Sequence, residues 1–78
     1  MSQASIAAIA KIIQEVLNHQ EPIDASSDAQ SVSGWDSLNH MMIIAAVEKH
    51  FEINFSLDEV MGLENVGQMA ELVDQKLA

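Results

Sequence analysis

Apolar residues recur at three- and four-residue steps in three separate stretches of this 78-residue chain, and no two alternating stretches exist that could pair as strands. Helices packed on helices are therefore the expected architecture. The first stretch, Ala4 to Asn18, sets Ile6, Ile9, Ile13, Val16 and Leu17 on one face, with Lys11, Gln14 and Glu15 between them. The second starts at Asp36 or Ser37, runs to about His50, and carries Ile43, Ile44, Val47 and Phe51 at helical spacing; Asp36 is a suitable N-cap. The third starts at Asn65, which with Gln68 has the spacing of a capping box, and carries Val66, Met69, Leu72, Val73 and Leu77. Between the last two, Ser56-Leu57-Asp58-Glu59 is another capping-box spacing and Gly62 a C-terminal stop, so a short helix of barely two turns is expected there. Phe51 to Phe55 alternates apolar and polar residues but has no partner strand, so it reads as an extended connector.

His19 to Trp35 has no sustained period and is rich in turn formers: Pro22, Asp24, Ser26, Ser27, Asp28, Ser31, Ser33 and Gly34. A connection longer than about 15 residues in a compact domain is functional or disordered, and Ile23, Val32 and Trp35 are the residues that would pin this one to the core. The expected fold is all-α: a small four-helix bundle of three longer helices and one short helix, with a long loop between helices 1 and 2, forming a single domain over residues 1–78.

Charge narrows the function. Twelve acids against three lysines and no arginine give a net charge of -9, which excludes nucleic acid, because phosphate neutralisation needs cations. Partners should be basic. Without cysteine there is no disulfide framework and no thiolate metal site, and His19, His40 and His50 lack metal-ligand spacing, so no metal is expected. No apolar run approaches the roughly 20 residues of a membrane span, and the N-terminus lacks the pattern of a signal peptide; the expectation is no membrane and a cytoplasmic location. A domain of this size has little room for a deep enzyme cleft.

The chemically distinctive place is Gly34-Trp35-Asp36-Ser37-Leu38, where a serine enters the first turn of a helix behind a capping aspartate. The first four N–H groups of a helix lack internal partners and the helix dipole favours negative charge, so a phosphate on Ser37 would lie in a favourable field. Asp36 would repel it and therefore serves another purpose, as a cap or a metal contact.

Over its whole length, with Asp36-Ser37-Leu38 at the second helix, Glu48-Lys49-His50-Phe51 at that helix's end and Ile53-Asn54-Phe55-Ser56 after it, the chain resembles the acyl carrier proteins and related peptidyl carrier domains. The resemblance implies that Ser37 is esterified with 4′-phosphopantetheine, taken from coenzyme A by a phosphopantetheinyl transferase. Asp36 would be a possible Mg²⁺ contact during that modification. The arm would then hold an acyl or aminoacyl group as a thioester, exchanged with acyl-activating or acyl-transferring enzymes. The protein itself would be a non-catalytic carrier and a monomer, and its initiating Met without a flanking linker fits a discrete protein. His40 would border the bundle entrance near the arm.

Leu38, Met42 and Ala45 fall on one side of the second helix, roughly opposite Ile44 and Val47, and with Glu48 form a candidate partner-binding face beside Ser37. Asn39 and Met42 occupy positions that are acidic in the best-known fatty-acid carriers. That departure points to a specialised lipid, polyketide or aminoacyl pathway. Met41, Met61 and Met69 suit either core filling or the lining of a bundle that opens around an acyl chain. Two other readings compete: an unmodified acidic helical adapter that binds a protein partner, and a hydrolase pairing Ser37 with His40, for which no strand-to-helix elbow, oxyanion loop or pocket is expected.

Overall fold

The computed structural model describes residues 3–18 and 22–77. Within them lie four helices: α1 Gln3–Leu17, α2 Ser37–Phe51, α3 Leu57–Gly62 and α4 Val66–Leu77. Among the described residues there is no strand, only an isolated antiparallel bridge between Asp28 and Asn65. His19, with the rest of the loop's start, lies outside the described residues, as do the ends of the expected 1–78 domain.

Each helix ends for a local reason. α1 stops one residue before the expected Asn18, because Asn18 takes the left-handed conformation (φ 52°) that asparagine tolerates better than most residues. α2 extends one residue past His50, and Glu52 then turns left-handed (φ 56°) and donates its N–H to Glu48 O. The connector is fixed by the same residue's side chain: Glu48 Oε2 accepts from Phe55 N at 2.8 Å. α3 opens with the expected capping box, Glu59 N to Ser56 Oγ at 3.2 Å and Ser56 N to Glu59 Oε1 at 2.8 Å. It closes after Gly62, but with Leu63 extended at the C-cap, so Gly62 ends the helix without a left-handed turn. At α4, Asn65 Oδ1 accepts from Gln68 N as expected, while the Gln68 carboxamide reaches one residue further back, to Glu64 N.

The core gathers Ile9 and Ile13 of α1, Ile43, Ile44 and Val47 of α2, Val60 of α3, and Val66, Met69, Ala70 and Val73 of α4. Val32 and Trp35 of the loop join it, and Ile23 packs partly buried against it. Burying side chains of this kind stabilises by about 1.5–3 kcal/mol each. α1 packs against both α2 and α4, and the buried Ser5 hydroxyl donates to the Asp74 carboxylate across the α1–α4 seam. The apolar stripe of α4 outruns this core: Leu72 is half-buried and Leu77, in the last turn, is mostly exposed. Of the three methionines that could serve core or lining, Met69 is fully buried while Met41 and Met61 are exposed. No helix among the described residues is long and apolar enough to cross a membrane.

The loop folds on itself. Asp24 Oδ1 accepts from Ser26 N and Ser26 Oγ, while Asp24 N donates to Ser27 Oγ; four residues on, Asp28 Oδ1 accepts from Gln30 N and Ser31 N, while Asp28 N donates to Ser31 Oγ. These are two consecutive reciprocal Asp–Ser boxes, built like helix caps. The loop in turn caps α4, since Ser27 O accepts from Val66 N at 3.0 Å and Ala25 O from Gly67 N at 2.8 Å. Two donors that a helix start leaves unpaired are thereby satisfied.

Candidate functional site at the start of α2

The loop delivers the chain to α2 through Gly34, whose φ of +89° favours glycine over any residue with a Cβ. Asp36 N turns back onto Gly34 O at 3.1 Å, and Asn39 Nδ2 donates to the same carbonyl at 2.7 Å. Asp36 is the N-cap, its carboxylate accepting from Asn39 N at 2.8 Å. Asn39 therefore braces the turn with a side-chain donor that a carboxylate could not supply.

Ser37 is the first helical residue and is exposed. Its hydroxyl has no hydrogen-bond partner among the described residues, and neither the Ser37 nor the Leu38 N–H finds an acceptor there. An uncommitted hydroxyl beside two open backbone donors fits a phosphate ester. No group of three or more His, Asp or Glu that could hold a metal occurs among the described residues.

Beside Ser37 a cleft of about 610 Å³ opens between α2 and α3. Trp35, Ser37, His40 and Met41 line one side of it, and Leu57, Val60, Met61 and Leu63 the other. A smaller depression of about 260 Å³ lies between α3 and α4, near Asp58, Glu59 and Glu71, and does not include Ser37.

His40 crosses the cleft's inner edge. Trp35 Nε1 donates to His40 Nδ1 at 3.0 Å, with the rings stacked at a 6.1 Å centroid separation and a 21° interplanar angle. Because an indole nitrogen can only donate, His40 Nδ1 carries the lone pair and Nε2 the proton, which points to Val60 O at 3.3 Å. Both ring nitrogens are thus committed. His40 has no lone pair to offer Ser37, so the hydrolase pairing has no base.

The candidate partner face is present as exposed surface: Leu38 is 72% exposed and Met42 51%, with Ala45 exposed in line. Glu48, at the far end, is partly buried and occupied with Phe55 N. The sequence reasoning missed the Trp35–His40–Val60 chain and the Asn39 brace. A donor-only indole five residues before an imidazole, both bordering a helix start, was the available signal for the first.

The family model for the phosphopantetheine attachment site matches residues 7–73. A holo acyl carrier protein of Geobacter metallireducens superposes with a TM-score of 0.86 at 36% identity, covering 96% of this chain and 87% of that one. A Mycobacterium tuberculosis chain described as an acyl carrier protein superposes with a TM-score of 0.83 at 27% identity, covering 91% of this chain and 96% of that one. No curated protein matches the chain. From the four-helix bundle and the family match together, the chain belongs to the acyl carrier protein family, whose domain is the attachment site for covalent 4′-phosphopantetheine.

Proposed function

We propose that Ser37 is the attachment residue, and that the chain carries acyl or aminoacyl intermediates for a specialised lipid, polyketide or aminoacyl pathway. The observation that carries this is the exposed, unpartnered Ser37 hydroxyl at the mouth of the α2–α3 cleft, one residue after its capping aspartate. When bound, the arm supplies a thiol, which this cysteine-free chain otherwise lacks. Proteins of this family are non-catalytic carriers that work with phosphopantetheinyl transferases and acyl-handling enzymes. With His40 committed elsewhere, activation of the Ser37 hydroxyl falls to the transferase and its metal. Asp36 has a second carboxylate oxygen for that metal while the first caps Asn39 N. A charge of -9 on a small chain disfavours self-association, which supports a monomer.

Intact mass after incubation with coenzyme A, Mg²⁺ and a promiscuous phosphopantetheinyl transferase tests the assignment. Wild type should gain one phosphopantetheine and Ser37→Ala none, with helix content by circular dichroism unchanged because Asp36 remains as cap. Modification of Ser37→Ala would move the site elsewhere. An unmodified wild type would leave the acidic-adapter reading in its place.

Partner choice rests on the exposed face of α2. From Ser37 to Val47 the helix carries no charged residue, so docking on Leu38, Met42 and Ala45 is apolar and steered by Asp36, Glu48 and the protein's overall field. Met42→Glu should slow transfer by the cognate acylating enzyme about tenfold, by placing a charge where docking removes water. It should leave transfer by a ketosynthase with a basic docking patch equal or faster. Equal losses with both enzymes would mean that Met42 supports the bundle.

A further inference from the structure

α3 is the weakly built wall of the cleft. Six residues are too few to form a stable helix alone, and the core receives only Val60 from it. Its other described side-chain ties to the bundle are two. Lys76 Nζ pairs with Glu59 Oε1 at 2.9 Å on the side facing α4. On the side facing Ser37, His40 Nε2 donates to Val60 O, a carbonyl in the last turn of α3 that also accepts from Leu63 N. His40 can make that bond only as the Nε2–H tautomer, and Trp35 Nε1 imposes this tautomer from behind. Trp35 is itself 6% exposed and fixed in the core, so the imidazole is braced at one nitrogen and grips α3 with the other. Ile43, Val47 and Met69 do not line the cleft and have no exposed surface. A chain lying in the cleft reaches deeper only if α3 moves away from α2.

We propose that His40 is a strut that sets the spacing of α3 from α2. It limits the cleft beside Ser37 to its present depth and keeps an attached apolar chain at the rim, out of the bundle. This rests on the carrier role proposed above only for what occupies the cleft; the strut is a property of the unmodified protein. His40 touches neither arm nor cargo in this role and acts by positioning α3.

Two substitutions divide the strut. An asparagine oxygen falls near the place of Nδ1 and a glutamine amide near that of Nε2, so His40→Asn keeps an acceptor for Trp35 and loses the link to α3, while His40→Gln keeps a donor for Val60 O. In the unmodified proteins, hydrogen exchange at the amides of residues 60–63 should quicken about tenfold in His40→Asn and stay within about twofold of wild type in His40→Gln. Equal exchange in all three proteins, or equal acceleration in both variants, overturns the strut. Nitrogen NMR of wild-type His40 at neutral pH needs no variant: Nε2–H is expected, and an Nδ1–H ring overturns the proposal even if a variant fails to fold. The cargo half is read from hydroxylamine cleavage of butyryl- and decanoyl-loaded protein. Wild type should release both at similar rates, whereas His40→Asn should shield the decanoyl form about fivefold. Shielding already present in wild type overturns the rim placement. If no arm can be attached, the Ser37 assignment fails by mass while exchange and tautomer still judge the strut.

Discussion

The loop and α3 both border the cleft in front of α2, and the two are built in opposite ways. The loop wall, residues 22–36, has no regular secondary structure, yet it is locked by its two Asp–Ser boxes, by backbone bonds to the start of α4, and by Val32 and Trp35 in the core. The α3 wall is helical, yet it stands on one buried valine, a capping box, an ion pair and the His40 link. Secondary structure is thus a poor guide to which wall yields. The measure that matters is how many bonds tie a segment to something other than itself, and by that measure the cleft widens at α3.

The largest expected effect comes from removing the loop's anchor. Trp35→Ala deletes a nearly buried indole and should lower stability by about 3–5 kcal/mol, against a total of roughly 4–12 kcal/mol for a chain of this size. Urea unfolding followed by circular dichroism reads it. Trp35→Phe keeps most of the ring packing but leaves His40 Nδ1 without its donor and should cost about 1 kcal/mol. A loss below about 1 kcal/mol for Trp35→Ala would mean that the loop stands without the core, and the contrast between the walls would collapse.

The sequence reveals the helices because their apolar residues repeat with the helical period, and it reveals the caps because Asp36, Ser56 and Asn65 act within three residues of themselves. It places Ser37 in the first turn of α2 for the same reason: a helix start is local. The order of the loop was hidden because each Asp–Ser box looks like ordinary turn composition, and the bonds to Val66 and Gly67 join residues some forty positions apart. The Trp35–His40–Val60 chain was hidden likewise, since its last link spans twenty residues and ends on a backbone carbonyl that no side-chain pattern marks. Leu77 shows the converse: the helical period runs to the end of α4 as read, while the core ends before it.

A matched pair of smaller changes sharpens the comparison. Asp28→Ala and Ser56→Ala each remove one reciprocal box. The loop is coupled to α4 and the core, so the Asp28 change should shift the urea midpoint of the whole protein. The α3 wall is nearly independent, so the Ser56 change should speed exchange at residues 60–63 by about fivefold and leave the midpoint almost unmoved. If both changes shift the midpoint equally, α3 is as tightly coupled as the loop.

The smallest effect is an order of events on acidification. Asp24 is held below the usual carboxylate range by the Ser26 hydroxyl and N–H and then by Ser27, and Asp28 by the N–H and hydroxyl of Ser31 and the N–H of Gln30. Glu59 is lowered by the Ser56 N–H first and Lys76 next. A carboxyl group lowered in the folded protein stabilises it fully above its unfolded pKa and loses that contribution as pH falls through the folded value. All three contributions are therefore intact at neutral pH and disappear in acid. Stability should hold from neutral pH to about 5 and fall below about 4. Because glutamate ordinarily titrates higher than aspartate, the α3 wall should loosen first, with exchange at residues 60–63 quickening at a higher pH than at residues 26–31. Added salt should widen that gap, since it screens the Glu59–Lys76 pair while the Asp–Ser boxes consist of short hydrogen bonds within the loop. A loop that opens before α3 in an NMR acid titration would reverse the ranking of the two walls.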